Sequence, residues 1–280
     1  MNETQIKTQK FIIKYFTEIM IKGSTAKRQM ISQVFNNLVN ILSKISKDIK
    51  IKKFFDKVEV VCPVEVVNEV RTKLLDTPGI QQILEAIQFD NMNTLDEIKV
   101  VVNDIMAKEI QGKTFVVRCK RTGTQEFKST QVEQTVGGYM LAHNETKGVA
   151  LKGAEYTINL ELEFSQLNII THKHMGMGGF PLGTQGTVLS LMSGGFDSTV
   201  ASYLTMKRGI KTNFVFFNLG GIAHEIGVKQ VAYYLWSKFG SSHRITFTTI
   251  PFEDVVTEIF KSVSEPYMGV MLKRLMLLAS

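Results

Sequence analysis

Apolar residues recur every three or four positions over Met30, Ile31, Val34, Leu38, Ile41, Leu42 and Ile45. That spacing lays one face of a long helix against a core. Ser24 stands where the N-cap of this helix would be. Ahead of it, residues 10–18 alternate well enough for a strand. Behind it, residues 58–61 and a stretch within 49–55 give two more. Pro63 opens a short helix carrying Val66, Val67, Val70 and Leu74, the turn Thr77-Pro78-Gly79 closes it, and residues 80–89 return as a strand. The order β-α-β-β-α-β predicts a ferredoxin-like domain over residues 1–88.

A second unit follows over residues 89–174. Leu95, Ile98, Val102, Ile105 and Met106 make one helical face, and residues 114–119 an apolar strand. Residues 120–124 read as a basic glycine turn, and Lys128 leads into a helix with Val132, Val136 and Met140. Residues 156–164 alternate, with Ile158, Leu160, Leu162 and Phe164 on one face, which predicts a half-buried strand in an antiparallel arrangement. Residues 175–183 are glycine-rich without periodicity, so 175–186 is assigned as a linker. Beyond it, Val188, Leu189, Leu191 and Met192 form a short apolar run, the pattern of a buried parallel strand. Residues 213–217 form a second, followed by Asn218-Leu219-Gly220-Gly221 and a helix with Ala223, Val228, Val231, Ala232 and Leu235. The fold class expected is a multidomain α/β and α+β chain whose last domain, 187–280, holds a parallel sheet.

Charge changes this picture. Residues 1–60 carry 12 Lys and Arg against 5 Asp and Glu, whereas the other 220 residues carry 21 of each. A basic module joined to a neutral one points to an anionic macromolecule held by the first. Two cysteines, Cys62 and Cys119, supply neither a disulfide framework nor a metal-ligand spacing. The five histidines have no cysteine or carboxylate partners at ligand spacing. No apolar run reaches membrane-spanning length, and the polar residues 1–10 do not resemble a signal peptide, so a soluble cytoplasmic protein is expected.

The candidate chemistry sits between the apolar run at 188–192 and the next helix, in Ser193-Gly194-Gly195-Phe196-Asp197-Ser198. Strand, glycine turn and helix start together aim unpaired backbone N–H groups at an anion. Paired glycines let the main chain approach a phosphate. Ser193, Ser198 and Thr199 add hydroxyls, and Asp197 could hold a magnesium ion against phosphate oxygens. Neither a Gly-x-x-x-x-Gly-Lys-Ser/Thr run nor a Gly-x-Gly-x-x-Gly run is present.

The motif resembles the PP-loop of ATP pyrophosphatases, which cleave ATP between its α and β phosphates and leave AMP on a substrate oxygen. The whole chain is similar to the bacterial tRNA 4-thiouridine synthetase (tRNA sulfurtransferase) family, which joins ferredoxin-like, THUMP and PP-loop domains in this order. The resemblance rests on residues 18–23, Pro78-Gly79-Ile80, residues 115–121, Gly137-Gly138, the glycine-rich stretch, the PP-loop and residues 216–221. It implies that the first two domains grip tRNA, which nominates Lys22, Lys27, Arg28, Arg118, Lys120, Arg121 and Lys128. It also implies that the third adenylates the uridine at tRNA position 8, after which sulfur replaces AMP. Catalytic roles fall to Asp197, Ser193 and Ser198; Leu191, Met192, Gly194, Gly195, Phe196, Phe216, Phe217 and Lys273 complete the ATP site, with Arg274 a rival for Lys273. Implied partners are a cysteine desulfurase carrying a persulfide and the sulfur carrier protein of thiamine synthesis; a homodimer is left open.

The family's catalytic domain and its sulfur-handling cysteine extend past the position of Ser280, so a C-terminally truncated member is expected, with Cys62 and Cys119 structural. Two alternatives stand beside this reading: a tRNA-binding protein with an incomplete catalytic domain, and a THUMP-containing methyltransferase.

Overall fold

The computed structural model describes residues 8–280; the first seven residues of the polar opening lie outside the described residues. The chain runs β1 (Thr8–Tyr15), α1 (Thr17–Met20), α2 (Ser24–Leu42), β2 (Lys50–Lys53), β3 (Lys57–Pro63), α3 (Val67–Leu75) and β4 (Ile80–Phe89). There follow α4 (Leu95–Ile110), β5 (Thr114–Thr122), α5 (Ser129–His143), β6 (Gly148–Val149), β7 (Tyr156–Glu163) and β8 (Gln166–Gly178). The last stretch holds β9 (Thr187–Leu191), α6 (Phe196–Lys207), β10 (Lys211–Asn218), α7 (Ile222–Leu235), β11 (Phe247–Pro251), α8 (Glu253–Ser262) and α9 (Glu265–Leu278). Two compact units result: residues 1–12 with 84–174, and residues 13–83 with 175–280.

In the first unit the strands follow the order β1-β4-β8-β7-β5-β6. β5 pairs parallel with β7, and β7 antiparallel with β8. The arrangement is therefore mixed, where alternation alone suggested an antiparallel one. α4 and α5 cover one face, burying Ile98, Val102, Val132, Val136 and Met140 against Phe115, Val117, Ile158 and Leu160. α4 starts with a capping box in which Thr94 Oγ1 accepts from Glu97 N–H and Glu97 reaches back to Thr94. Three expectations are corrected here. β5 continues through Lys120, Arg121 and Thr122 because β7 pairs with it to Glu163, so the turn begins only at Gly123. Phe164 is 66% exposed rather than on the buried face, since its φ of +52° turns the chain out of the strand. β8, whose polar residues and glycines broke the pattern, was not expected at all.

In the second unit the ferredoxin-like part has the order β2-β3-β1-β4-β8. Val34, Leu38 and Leu42 of α2 and Val70 and Leu74 of α3 are fully buried, as their periodicity requires. Gly23, not Ser24, is the N-cap of α2, and it makes no side-chain cap. The chain after Tyr15 leaves β1 for the short α1 rather than continuing as strand to Glu18.

The glycine-rich stretch is not a slack linker. Residues 175–178 are the end of β8, and the glycines answer to crowding: a Cβ on Gly176 would stand 2.4 Å from Ile80 O, and one on Gly179 2.0 Å from Lys207 O. They permit close backbone approach rather than mobility.

The remainder is a three-stranded parallel sheet, β11-β10-β9. β10 is buried on both faces. Phe214 and Phe216 pack with Val228, Ala232 and Leu235 of α7, while Val215 and Phe217 pack with Phe252 and with Leu272, Leu275 and Met276 of α9. β9 is parallel as expected but not buried: it lies at the sheet's edge, leaving Leu189 and Leu191 exposed. No helix among the described residues is long and apolar enough to cross a membrane.

Candidate functional site: a glycine loop at the head of a parallel sheet

β9 ends at Leu191, and Met192, buried beneath the loop, donates its N–H to Val215 O at 2.8 Å. The chain then turns through Ser193, Gly194 and Gly195 into α6, whose N-cap is Gly195 without a side-chain cap. Gly194 has a φ of +80°, and a Cβ there would meet Val228 Cγ2 at 3.0 Å; conformation and space both require glycine. Inside the loop, Ser198 Oγ accepts from Ser193 N–H at 3.3 Å and donates to Gly195 O at 3.2 Å. The Ser193 and Ser198 hydroxyls are 3.3 Å apart, and Ser193 Oγ accepts from Gly195 N–H at 3.4 Å. Thr199 Oγ1 donates to Gly195 O at 2.9 Å.

These serines hold the loop's shape while leaving it open. Phe196 is 91% exposed, and Asp197 is exposed in the first turn of α6. Gly194, Gly195, Phe196 and Thr199 line a depression of about 430 Å³ shared with Gly227, Gln230, Val231 and Tyr234. An uncapped helix start beneath a glycine turn presents main-chain donors and the positive end of the helix dipole to an anion.

Sequence reasoning set His224 aside, yet it belongs here. Its Nε2 lies 3.1 Å from Ser193 O, and its ring meets Phe216 edge-on with centroids 5.2 Å apart. A carbonyl only accepts, so Nε2 carries the proton. Only the fold reveals this, since 31 positions separate the partners. The second glycine turn is pinned by Glu225, which accepts from Asn218 Nδ2 (3.1 Å), Thr249 Oγ1 (2.9 Å) and Lys229 Nζ (2.6 Å). Those donors, Lys229 first, hold the Glu225 carboxyl below its usual range. Asn218 Oδ1 in turn accepts from Gly220 N–H at 3.0 Å.

Other nominated residues are scattered. Phe216 and Phe217 are buried in β10, on opposite faces. Lys273 and Arg274 sit on the exposed side of α9 beside Val270, Leu277 and Leu278, and no recorded contact among the described residues joins them to the loop. In the same unit, Lys22 and Arg28 are exposed, and Lys27 lies over the Phe55 ring at 5.3 Å.

In the other unit, Arg118 and Lys120 share the exposed face of β5. Arg118 donates to Leu151 O and stands 3.7 Å from Glu133. Arg121 Nη1 is occupied with Gly123 O, Gln125 O and Gln125 Oε1, bracing the turn. Lys128 is the N-cap residue of α5, its N–H donating to Gln131 Oε1 at 2.7 Å. Burial, and then the Glu133 charge, push the Cys119 thiol up to about 12, and Cys62 is fully buried. Neither suits a nucleophile. Among the described residues no cluster of three or more His, Cys, Asp or Glu could hold a metal ion.

Comparison with known proteins agrees with this layout. Sequence models match in succession for the ThiI ferredoxin-like domain (residues 10–83), the THUMP domain (92–171) and the thiamine biosynthesis protein ThiI (183–280). The tRNA sulfurtransferases of Aeromonas salmonicida and Psychromonas ingrahamii are each 46% identical over 97% of this chain, and that of Shewanella amazonensis is 42% identical over the same share. The chain spans 56% of the length of each. A 4-thiouridine synthetase–RNA complex with bound ATP shares the fold, with a TM-score of 0.81 at 20% identity over 97% of this chain and 69% of that one. A Pyrococcus horikoshii protein does too, with a TM-score of 0.73 at 21% identity over 95% of this chain and 99% of that one. Three domain matches in order, and relatives 42–46% identical along nearly all of the chain, make it a member of the ThiI tRNA sulfurtransferase family.

Proposed function

We propose that this chain is the RNA-gripping and ATP-activating part of a tRNA sulfurtransferase that adenylates the uridine at tRNA position 8, a persulfide sulfur then displacing AMP to give 4-thiouridine. One observation carries the reading: an open Ser-Gly-Gly-Phe-Asp-Ser loop, shaped by its own serines, at the uncapped start of α6. The amides of Gly194, Gly195 and Phe196, with Ser193 and Ser198, would receive the charge that develops on the departing pyrophosphate. Leu191, Met192 and the main chain at Phe216 and Phe217 would flank the nucleotide, and Lys273 would supply a further cation. Asp197, exposed beside the loop, is a hard oxygen donor of the kind magnesium takes alongside substrate phosphates and water. Bound there, magnesium would offset charge on the phosphates.

Lys22, Lys27, Arg28, Arg118, Lys120, Arg121 and Lys128 would contact tRNA, chiefly its phosphates. The domain limits that go with this reading are 1–88, 89–174, a connection at 175–186, and 187–280. A cysteine desulfurase would bring the persulfide in the cytoplasm, the same sulfur could pass to the carrier protein of thiamine synthesis, and the assembly could be a homodimer.

The test follows label from ATP carrying a labelled α-phosphate into tRNA. Asp197→Ala should abolish transfer while leaving tRNA affinity near that of the wild type. Transfer persisting within about tenfold, a loss under roughly 1.4 kcal/mol, would remove Asp197 from the machinery.

A further inference from the structure

Phe180 is 4% exposed, yet its ring seats two surface cations: Lys22 Nζ lies 5.4 Å from the ring centroid and Arg208 Cζ 5.1 Å. Lys22 follows α1, and Arg208 is the C-cap of α6. Both belong to the unit formed by residues 13–83 and 175–280.

The platform beneath them is rigid. Phe16 meets the Phe180 ring edge-on at 6.1 Å, and Phe180 N–H donates to Lys207 O at 3.0 Å. Gly179, at a φ of +74°, has no room for a Cβ against that same carbonyl. β8's exit and the end of α6 are thereby clamped together.

Both cation heads face solvent, and among the described residues no carboxylate forms an ion pair with either. Glu18, one turn before Lys22, does not reach it. Two like charges therefore converge on one ring, at most about 10.5 Å apart from the sum of the two ring distances. Cation–π attraction offsets their repulsion by only about 0.5–1 kcal/mol each at an exposed site. What such a pair lacks is an anion. Arg208 offers a planar fork suited to a phosphate, and Lys22 a compact charge.

We propose that Lys22 and Arg208, held on the Phe180 ring, seat neighbouring backbone phosphates of the RNA substrate, so that the PP-loop part of the chain grips RNA through its own helix. The proposal rests on the reading of the chain as a tRNA-binding protein. α6 then carries an anion at each end: nucleotide phosphates at its start, and an RNA phosphate at Arg208, where a cation also suits the helix dipole. Twelve residues of helix separate the two by roughly 18 Å.

The test is fluorescence anisotropy of labelled tRNA with the whole chain between 50 and 200 mM KCl, flanked by thermal melts. Lys22→Gln and Arg208→Gln should each weaken binding of any tRNA by a similar factor and lower the salt slope by about 0.7–0.9. Arg208→Lys should keep the slope while losing the fork's share of affinity. Should Arg208→Gln melt early, Arg208→Lys, which keeps the charge and the stem, carries the test by itself through its loss of affinity at constant slope. Wild-type affinity and slope in a normally folded Arg208→Gln would overturn the seat alone. Absence of tRNA binding by the wild-type chain would overturn the functional reading and the seat with it.

Discussion

Ser193 illustrates how much of a site one residue's neighbours decide. Its side chain and Ser198's shape the loop from within, while its carbonyl is held from outside by His224. Losing that hydrogen bond should loosen the loop: His224→Ala is expected to weaken ATP binding by about two- to tenfold, the worth of one ordinary hydrogen bond, and His224→Gln to recover part of it in a calorimetric titration. The six-residue signature was legible because its residues are consecutive. His224 was not, because its partner lies on another element. Arg121 was over-read: its guanidinium braces the turn at 123–125, so Lys120→Gln should lower the salt slope of tRNA binding by about 0.7–0.9, whereas Arg121→Gln should act mainly on stability. His243 makes a pH prediction. Burial, and then Lys211, depress its pKa below 6.5, so the unfolded chain binds its proton more readily than the folded one. Stability is then full above about pH 6.5 and falls as the pH drops toward the depressed folded value. His243→Asn should flatten that stretch of a thermal-denaturation series between pH 5 and 7. Cys62 and Cys119, one buried and the other with its thiol pushed up to about 12, should resist iodoacetamide in the native chain at pH 8 and react once it is unfolded.

Among the elements, α2, α4 and α5 were legible because each carries an apolar stripe that one core face must bury. Strands answered to their neighbours instead. β5 runs on through basic residues because β7 lies alongside, β9 is exposed because it is an edge, and β8 reads as polar and glycine-rich because its last residues need close backbone approach more than side chains. That difference can be measured. Gly179→Ala combines a φ of +74° with a 2.0 Å approach to Lys207 O and should cost at least about 2 kcal/mol in denaturant unfolding. Gly138→Ala, inside α5 with open space around it, should stabilise by about 0.5–1 kcal/mol.

For the whole molecule, chain order and compactness part company. Residues 13–83, which carry most of the basic excess, belong to the same compact unit as the glycine loop, while the first strand's start falls with residues 84–174. A linear sequence suggests beads on a string, and contact order along it cannot show which beads pack together. The consequence is that RNA grip and nucleotide chemistry should be studied on the intact chain, and that cations such as Arg208, outside the basic segment, count toward the grip. The central claim remains the loop, because without a phosphate site the RNA surface has no chemistry to serve. The most direct measurement is a titration of the isotopically labelled chain with ATP and then pyrophosphate, in the presence of magnesium, read through backbone amide chemical shifts. The account predicts that the largest shifts fall on Gly194, Gly195, Phe196, Asp197 and Ser198, that pyrophosphate alone reproduces them, and that Asp197→Ala reduces them. Saturable shifts confined to other residues, with those five amides unmoved, would contradict it.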